Sequence, residues 1–160
     1  MNKFLFFTGI AVFSVSCNYF DKEKKDTGGP LDKVNMMQAD RSFSKMSEEK
    51  GMKAAFLEYI DSNGVLLRTN HLPITGAEAI DYLIQQNDTG YTLKWEPRTG
   101  AVAHSGDLGY TYGVYALKLK QKDSIIYGTY VSIWKKDSKG VWKYVLDSGN
   151  EGIGDIITEQ

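Results

Sequence analysis

Apolar residues along this chain recur at two different spacings, and the change between them predicts the order of the secondary structure. In residues 34–46 and again in residues 52–60 they recur every three or four positions, which is the period of a helix with one buried face. Beyond residue 90 the period falls to two, as in Tyr91, Leu93 and Trp95, which is typical of a half-buried strand. The pattern therefore predicts helices first and strands afterwards.

The segment between these two regions predicts a turn, a short strand and a third helix. The run Asp-Ser-Asn-Gly at residues 61–64 consists of turn-forming residues, and the apolar residues 65–67 after it indicate a short strand. Thr75 and Glu78 have the spacing of a capping box, in which each side chain binds the other residue's backbone amide. They predict that a helix begins here and runs to residue 84.

Strands dominate the second half of the chain. Apolar alternation and turn residues predict strands at 91–95, 108–115, 127–135 and 141–146, with a hairpin turn at the Asp-Ser-Lys-Gly of residues 137–140. Because helices come first and antiparallel hairpins follow, the predicted fold class is α+β rather than a parallel α/β sheet.

The N-terminus has the pattern of a secretion signal. Lys3 precedes an apolar run from Phe4 to Val15, and the small residue Ser16 is followed by Cys17. The run is shorter than the ~20 residues that a membrane-spanning helix needs. A cysteine directly after small residues is the arrangement of a bacterial lipoprotein signal, so we expect residues 1–16 to be removed and Cys17 to be lipidated.

Two features bear on this interpretation. Ser14 lies three residues before the cysteine, where a bulky aliphatic residue is usual, so a simple cleaved signal with a free cysteine is the alternative. Cys17 is the only cysteine, which favours a modified terminus over a disulfide. The expected partner of Cys17 is the lipid bilayer of the bacterial cell envelope. Asn18 replaces the Asp that commonly marks inner-membrane retention, which favours the outer membrane, facing the periplasm or the cell surface.

Composition divides the rest of the chain. Residues 17–32 combine charges of both signs with Thr-Gly-Gly-Pro and predict a flexible tether. Residues 33–150 are expected to form one domain, and residues 151–160 a C-terminal tail. The chain is 42% hydrophobic, which is enough for an ordinary core. Its net charge of −1 gives no reason to expect a nucleic-acid partner.

Four stretches of the predicted domain, taken in order, have the pattern of a known superfamily. They are Ala-Asp-Arg-Ser-Phe at 39–43 with Ala-Ala-Phe at 54–56, the glycine-led stretch 74–80, the turn and strand 105–113 beginning Ser-Gly-Asp, and the pair 130–134 and 139–143. Their order and spacing resemble nuclear transport factor 2-like proteins, which share a fold with ketosteroid isomerase-like and polyketide cyclase-like domains. The resemblance covers roughly residues 36–150.

The resemblance implies a curved antiparallel sheet wrapped around the N-terminal helices and enclosing a cone-shaped cavity. Such cavities are apolar with a few polar groups. Aromatic residues on the predicted strands are candidates to line it, and packing in the core explains them equally. Alternation places Tyr110 and Tyr112 on one face of their strand and Tyr115 on the other. The candidate ligand-binding residues are Trp95, His104, Tyr110, Tyr112, Tyr130 and Trp134.

Related isomerases and cyclases use a carboxylate base and a hydrogen-bonding acid, so the resemblance implies candidates for both roles. The candidate bases are Asp107 and Asp147, and a tyrosine such as Tyr112 or Tyr130 is the candidate donor. Turn formation explains the two aspartates as well. Many relatives resemble Tyr-x-Asp on the penultimate strand, whereas this chain has Ser132 at the Asp position. That difference argues against a simple transfer of the acid–base mechanism.

Several other classes of site are excluded by the residues present. With Cys17 lipidated, His71 and His104 do not make a zinc site. The glycines at 106, 109 and 113 lie among strands rather than at a strand–helix turn, which argues against a dinucleotide site. No metal and no cofactor is therefore predicted.

Three hypotheses for the function remain. The first is a membrane-tethered domain that binds a small, largely apolar ligand or a protein partner. The second is an isomerase- or cyclase-like enzyme that uses an aspartate in the cavity. The third is a structural homodimer formed through the sheet, for which the faces that carry Tyr115 and Trp142 are the candidate surface.

Overall fold

Two helices open the part of the protein that the structure describes. A computed structural model describes residues 29–122 and 124–153. Helix α1 spans Pro30–Lys50 and helix α2 spans Met52–Tyr59. Gly51 separates them with a φ of 95°, a conformation that glycine adopts at little steric cost. The Lys53 amide donates to the Asp88 carboxylate at 2.8 Å, which satisfies one of the free amides at the start of α2.

Two short strands and a third helix connect the helical pair to the rest of the sheet. Strand β1 spans Ile60–Leu67, strand β2 spans Ile74–Thr75 and helix α3 spans Gly76–Gln85. Strand β1 pairs antiparallel with β2 on one side and parallel with the last strand of the chain on the other. This parallel pairing brings the N-terminal elements against the C-terminal strand.

Four long strands form most of the six-stranded sheet. They are β3 Tyr91–Val102, β4 Leu108–Leu119, β5 Ile125–Lys136 and β6 Trp142–Glu151. The strand order is β2-β1-β6-β5-β4-β3, and consecutive long strands pair antiparallel. The register shifts at Arg98 on β3 and at Val145 on β6, which lies opposite the junction of Ile133 and Trp134 on β5. Such bulges bend a sheet, and here the sheet curves around the helices.

Aromatic side chains between the helices and the sheet form the centre of the core. Phe43 on α1 stacks on Tyr144 with the ring centroids 5.4 Å apart, and it meets Trp95 edge to face at 4.6 Å. Trp134 and Tyr144, on neighbouring strands, are completely buried. Aromatic pairs of this kind contribute about 0.5–1.5 kcal/mol beyond the burial of their surface. The cluster therefore determines how α1 lies on the sheet.

Two serines of α1 form hydrogen bonds along the outer edge of β3, which is an edge strand of the sheet. The Ser44 hydroxyl donates to the Trp95 carbonyl at 2.6 Å and accepts a hydrogen bond from the Trp95 amide at 2.8 Å. The Ser47 hydroxyl donates to the Leu93 carbonyl at 2.7 Å. An uncovered edge strand would leave these backbone groups free to pair with another chain. Helix α1 thus pairs with the edge of β3 at Leu93 and Trp95 and holds Trp95 in place.

The predicted α+β class is confirmed, and the predicted elements occur in the expected order. Two local predictions are wrong. Helix α3 begins directly after Thr75, as predicted, but the Thr75 side chain makes no capping hydrogen bond; its backbone pairs with Val65 in the short β2 strand. Residues 61–64 were predicted to form a turn before the strand, but they lie within β1. Their turn chemistry appears there as a local irregularity, in which the Asn63 amide donates to Asp61 Oδ1 at 2.9 Å.

The ends of the predicted domain differ slightly from the ends of the observed elements. Helix α1 already begins at Pro30, within the segment predicted to be a tether, and β6 continues to Glu151. The predicted signal peptide, Cys17 and the tether up to residue 28 lie outside the described residues, as do residues 154–160 of the tail. Within the described ranges, no helix combines the length and the apolar character needed to cross a membrane.

Candidate functional site

A cavity of about 290 Å³ lies between the curved sheet and helices α2 and α3. This volume is close to the lower limit for small-molecule sites, so the cavity suits a small ligand. Aliphatic side chains such as Leu83 and Leu93 form part of the wall. Six lining side chains are aromatic, namely Phe56, Tyr82, Tyr91, Trp95, Tyr115 and Tyr130. Polar residues line the remainder of the wall, including Thr69, Gln86, Ser148 and Glu151.

One ion pair provides the principal polar feature of the cavity wall. Arg68 Nη2 donates to Asp147 Oδ1 at 2.7 Å, and the Ser132 hydroxyl donates to Asp147 Oδ2 at 2.9 Å. Arg68 Nη1 also donates to the backbone carbonyls of Leu67 and Asp147. The exposed fraction of the side chain is 23% for Arg68 and 9% for Asp147. Both oxygens of this buried carboxylate therefore have hydrogen-bond donors, as a buried charge requires.

A shift in strand register brings Asp147 into the wall. On β6, Tyr144 lies opposite Trp134 and Leu146 lies opposite Ile133, so Val145 is an extra residue between the two pairs. Side chains alternate along a regular strand, and Tyr144 and Asp147 would then face opposite sides of the sheet. Because of the extra residue, both face the helices. Asp147 therefore lies opposite Ser132, within hydrogen-bond reach of its hydroxyl.

A second buried carboxylate lies behind the wall. Asp40 of α1 has no exposed surface and is held by two residues that line the cavity. The Trp95 indole Nε1 donates to Asp40 Oδ1 at 2.7 Å, and the Tyr130 hydroxyl donates to Asp40 Oδ2 at 2.8 Å. Asp40 therefore fixes the orientation of both aromatic side chains from the side away from the cavity.

Burial raises the pKa values of Asp40 and Tyr130. Desolvation raises the pKa of Asp40 above its ordinary value, while hydrogen bonds from Trp95, Thr111 and Tyr130 act in the opposite direction. Burial also raises the pKa of Tyr130, and the neighbouring Asp40 charge raises it further. Tyr130 therefore stays protonated at physiological pH, and its proton is directed at Asp40.

The structure brings three of the candidate residues together at this cavity. Trp95, Tyr130 and Asp147 come from β3, β5 and β6, and all three line it. Tyr115 lines it as well and lies on the opposite face of β4 from Tyr110 and Tyr112, as the alternation predicted. Asp147 lies in the cavity wall and accepts a hydrogen bond from the Ser132 hydroxyl.

Five other candidates lie away from the cavity. Asp107 is exposed in the turn between β3 and β4, where the Ser105 hydroxyl donates to its carboxylate and lowers its pKa. His104 lies in the same exposed turn. Tyr110 and Tyr112 stack on each other on the outer face of the sheet, each 45% exposed. Trp134 is completely buried in the core, and its indole Nε1 donates to Thr111 Oγ1 at 2.8 Å.

The faces that carry Tyr115 and Trp142, proposed as a homodimer surface, do not form an exposed apolar patch. Trp142 is only 5% exposed, because it faces the helices, and Tyr115 points into the cavity. On β4 the exposed apolar side chains lie on the outer face instead, where Leu108 accompanies the stacked pair of tyrosines. Nothing among residues 29–122 and 124–153 forms a group of three or more His, Cys, Asp or Glu side chains that could hold a metal.

Sequence reasoning missed three charged residues of the site, namely Asp40, Arg68 and Glu151, the last of which was assigned to the C-terminal tail. Asp40 had a detectable signal, since the buried positions of α1 include Met36, Asp40, Phe43 and Ser47 at spacings of three and four. A carboxylate on the apolar stripe of a helix indicates a buried polar partner. Arg68 had no such signal, because its role depends on the parallel pairing of β1 with β6.

A second depression, of about 520 Å³, lies on the outside between α1 and strands β3 and β4. Its charged residues pair with each other across the helix–strand boundary. Arg41 contacts Glu96 and Lys94 contacts Glu48, each at 2.9 Å. The buried Ser44 hydroxyl in this groove is already bonded to the Trp95 backbone, so the cavity that holds the Arg68–Asp147 pair is the stronger candidate for a functional site.

Comparisons with known proteins identify the fold. No protein-family model and no curated protein matches the sequence. A ketosteroid isomerase-like protein from Erwinia carotovora atroseptica superimposes with a TM-score of 0.63 at 14% identity, covering 79% of this chain and 100% of the other. An NTF2-like protein with a cystatin-like fold from Novosphingobium aromaticivorans gives 0.61 at 14% identity over 79% and 85%.

A third solved structure extends the comparison. A nuclear transport factor 2-like superfamily protein from Salmonella enterica gives a TM-score of 0.58 at 7% identity, with coverage of 81% of this chain and 97% of the other. Identities this low establish similarity of fold alone. Three helices packed against a curved, mixed six-stranded sheet agree with this match. The protein therefore has the nuclear transport factor 2-like, cystatin-like fold that the sequence resemblance predicted.

Proposed function

We propose that this domain binds a small, largely apolar ligand in the cavity between the sheet and helices α2 and α3. The observation that carries the proposal is the cavity itself, with about 290 Å³ lined by aromatic, aliphatic and polar side chains and one ion pair in its wall. Burial of apolar ligand surface contributes roughly 25 cal/mol per Å². The Arg68–Asp147 pair would orient a polar group at one end of the ligand.

The arrangement of the polar groups favours binding over catalysis. Asp147 already accepts hydrogen bonds from Arg68 and Ser132, and the Tyr130 proton is directed at Asp40. A general base needs a lone pair within reach of the substrate proton. Asp147 would have to exchange one of its present partners to act in this way. The protein therefore resembles a preformed binding site more than an assembled acid–base pair.

An isomerase-like enzyme is the second candidate, because Asp147 and Tyr130 line the same cavity. One of the similar solved structures is described as ketosteroid isomerase-like. Proton abstraction next to a carbonyl can be tested with cyclohexanone in D₂O, where a base introduces deuterium beside the carbonyl. Exchange that is lost in Asp147→Asn but kept in Asp107→Asn would support this candidate. Exchange no faster than in buffer would exclude it for this probe.

We also propose that Cys17 carries a lipid that tethers the domain to the cell envelope, and that the outer membrane is the more favoured site. The support is the N-terminal signal pattern and the charged segment between Cys17 and Pro30. Intact mass measurement of protein extracted from a bacterial membrane tests this. A diacylglycerol mass on a chain that begins at Cys17, and its loss in Cys17→Ala, is the expected result. An unmodified cysteine would contradict it.

A cavity-filling substitution tests the binding function. Gly149 lines the cavity, and a Cβ atom there would make only ordinary contacts, 3.5 Å from the Tyr115 ring and 3.7 Å from the Thr129 carbonyl. We therefore expect a leucine at this position to occupy cavity volume. Native mass spectra of protein prepared from cells should show a bound small molecule in the wild type and none in Gly149→Leu. Asn150→Leu adds the same side chain at an exposed neighbouring position and should keep the ligand. Equal occupancy in both variants would contradict a ligand in this cavity.

A further inference from the structure

We propose that the ligand of this cavity is a small organic cation, an amine or ammonium ion attached to an apolar body. The inference rests on the proposed ligand-binding function and adds the chemical class of the ligand. Three observations carry it: the aromatic walls, the balance of charge in the cavity, and the way in which the protein's own arginine is held there.

Aromatic rings provide the first argument. Six of the side chains that line the cavity are aromatic, and four of these six are tyrosines. The face of an aromatic ring carries partial negative charge and attracts a cation within about 6 Å of the ring centre. Recognition of ammonium groups by several aromatic rings uses this attraction. A neutral apolar ligand requires only aliphatic walls and would gain less from such a composition.

The balance of charge provides the second argument. Three residues of the cavity wall carry a formal charge, namely Arg68, Asp147 and Glu151. Arg68 and Asp147 compensate each other at 2.7 Å, which leaves the Glu151 carboxylate. Within the described ranges Glu151 forms no ion pair with a cation. Burial raises the pKa of the neighbouring Tyr115, and the negative charge of Glu151 raises it further. An incoming cation would therefore meet uncompensated negative charge.

The position of Arg68 provides the third argument. Its guanidinium carbon lies 5.7 Å from the centroid of the Phe56 ring while its Nη2 contacts the Asp147 carboxylate. The cavity already holds one cation, then, by an aromatic face and a carboxylate together. The same two types of contact remain for a second cation at the Tyr115 ring and the Glu151 carboxylate.

Three probes that share an apolar body and differ in charge test this inference. They are 4-phenylbutylammonium, 4-phenylbutanol and 4-phenylbutanoate, titrated into the purified full-length chain by isothermal calorimetry. We expect the ammonium to bind roughly tenfold more tightly than the alcohol, with the carboxylate weakest. Glu151→Gln should reduce the ratio of ammonium to alcohol affinity by about threefold, since one carboxylate near the surface of the site is lost. Glu49→Gln removes an exposed carboxylate of α1 and should leave the ratio unchanged.

Each other outcome has a defined meaning. If the alcohol binds as tightly as the ammonium, and Gly149→Leu abolishes both, the cavity binds apolar ligands but the preference for cations is refuted. If the carboxylate binds most tightly, the preference is also refuted, and the free N–H groups of Arg68 are the recognising element. If none of the probes binds, or if Gly149→Leu changes nothing, the proposed binding function fails together with the inference.

Discussion

The Tyr130 hydroxyl donates to Asp40 Oδ2 at 2.8 Å, and this hydrogen bond joins strand β5 to helix α1 across 90 positions of the sequence. The other oxygen of Asp40 accepts the Trp95 indole N–H at 2.7 Å. Both donors line the cavity, whereas Asp40 is completely buried behind them. A single carboxylate on the first helix thus holds two walls of the candidate site in position.

Removing the Asp40 carboxylate should lower the free energy of unfolding substantially. We expect Asp40→Leu to lower the free energy of unfolding by roughly 3 kcal/mol, because the buried Trp95 and Tyr130 donors lose their acceptor. Urea denaturation followed by circular dichroism measures the change. Asp81→Asn, which alters an exposed aspartate of α3, is the control and should stay within about 0.5 kcal/mol of the wild type. A cost for Asp40→Leu as small as that of the control would contradict the assigned role.

A double-mutant cycle isolates the Asp40–Tyr130 contact. Asp40→Asn, Tyr130→Phe and the double variant should show a coupling free energy of about 1–2 kcal/mol, since the two residues share one buried hydrogen bond. The same cycle between Asp40 and the exposed Tyr112 should give no coupling. Strictly additive effects for Asp40 and Tyr130 would show that the hydrogen bond contributes nothing to stability.

The raised pKa of Asp40 predicts a pH dependence with a definite sign. Between the ordinary aspartate pKa of about 3.9 and the raised value, the folded state binds more protons than the unfolded state. The contribution of Asp40 to stability is therefore fully present below the ordinary value and is lost as the pH rises through the raised one. The difference in unfolding free energy between the wild type and Asp40→Asn, measured in urea from pH 4 to pH 8, should fall with increasing pH. A difference that grows with pH would mean that hydrogen bonding, rather than desolvation, dominates.

The buried and exposed ion pairs should differ in their contribution to stability. Asp147→Ala leaves Arg68 and Ser132 without their acceptor in a largely buried place, and we expect it to cost about 3 kcal/mol. Glu96→Ala breaks the pair with Arg41, in which both side chains are exposed, and should cost less than about 1 kcal/mol. Urea denaturation in low and high salt measures both. Equal costs would contradict the burial of the cavity pair.

The covering of the β3 edge by α1 makes a local prediction. Ser44→Ala should leave the Trp95 amide and carbonyl unpaired and should lower the unfolding free energy by about 1–3 kcal/mol. Hydrogen exchange at the Trp95 amide, followed by NMR, should become faster. Ser138→Ala, in an exposed turn, serves as the control and should change neither quantity. Unchanged exchange at Trp95 would show that the serine does not protect this edge.

The order of the elements could be predicted from the sequence because it depends on local periodicity. Apolar residues three and four positions apart lie in helices α1 and α2, and those two positions apart lie in the strands from Tyr91 onward. The ends were less accurate, since Pro30 begins a helix inside a segment whose charges predicted a tether. The capping box correctly marked the start of α3 at Gly76, although the Thr75 side chain makes no capping hydrogen bond; the pairing of Thr75 with Val65 in β2 left no local signal.

The site was predictable only where its residues lay on regular strands or on a recognisable turn. Trp95 and Tyr130 were candidates because they are aromatic residues on predicted strands, and Asp147 because of its position after the last apolar strand. That Asp147 enters the cavity depends on the extra residue at Val145, which no local pattern reveals. The role of Arg68 depends on the parallel pairing of β1 with β6, a contact between distant parts of the chain. Long-range pairing of this kind leaves no local signal in a single sequence.

The most direct test of the central claim uses the three tryptophans of the protein as reporters. The Trp95 ring lines the cavity, whereas Trp134 and Trp142 are buried elsewhere in the core. In a ¹H–¹⁵N NMR titration with 4-phenylbutanol, the Trp95 indole resonance should shift with saturation while the other two stay in place. The shift should be absent in Gly149→Leu. A Trp95 resonance that does not move, or that moves equally in Gly149→Leu, would contradict a ligand-binding cavity at this site.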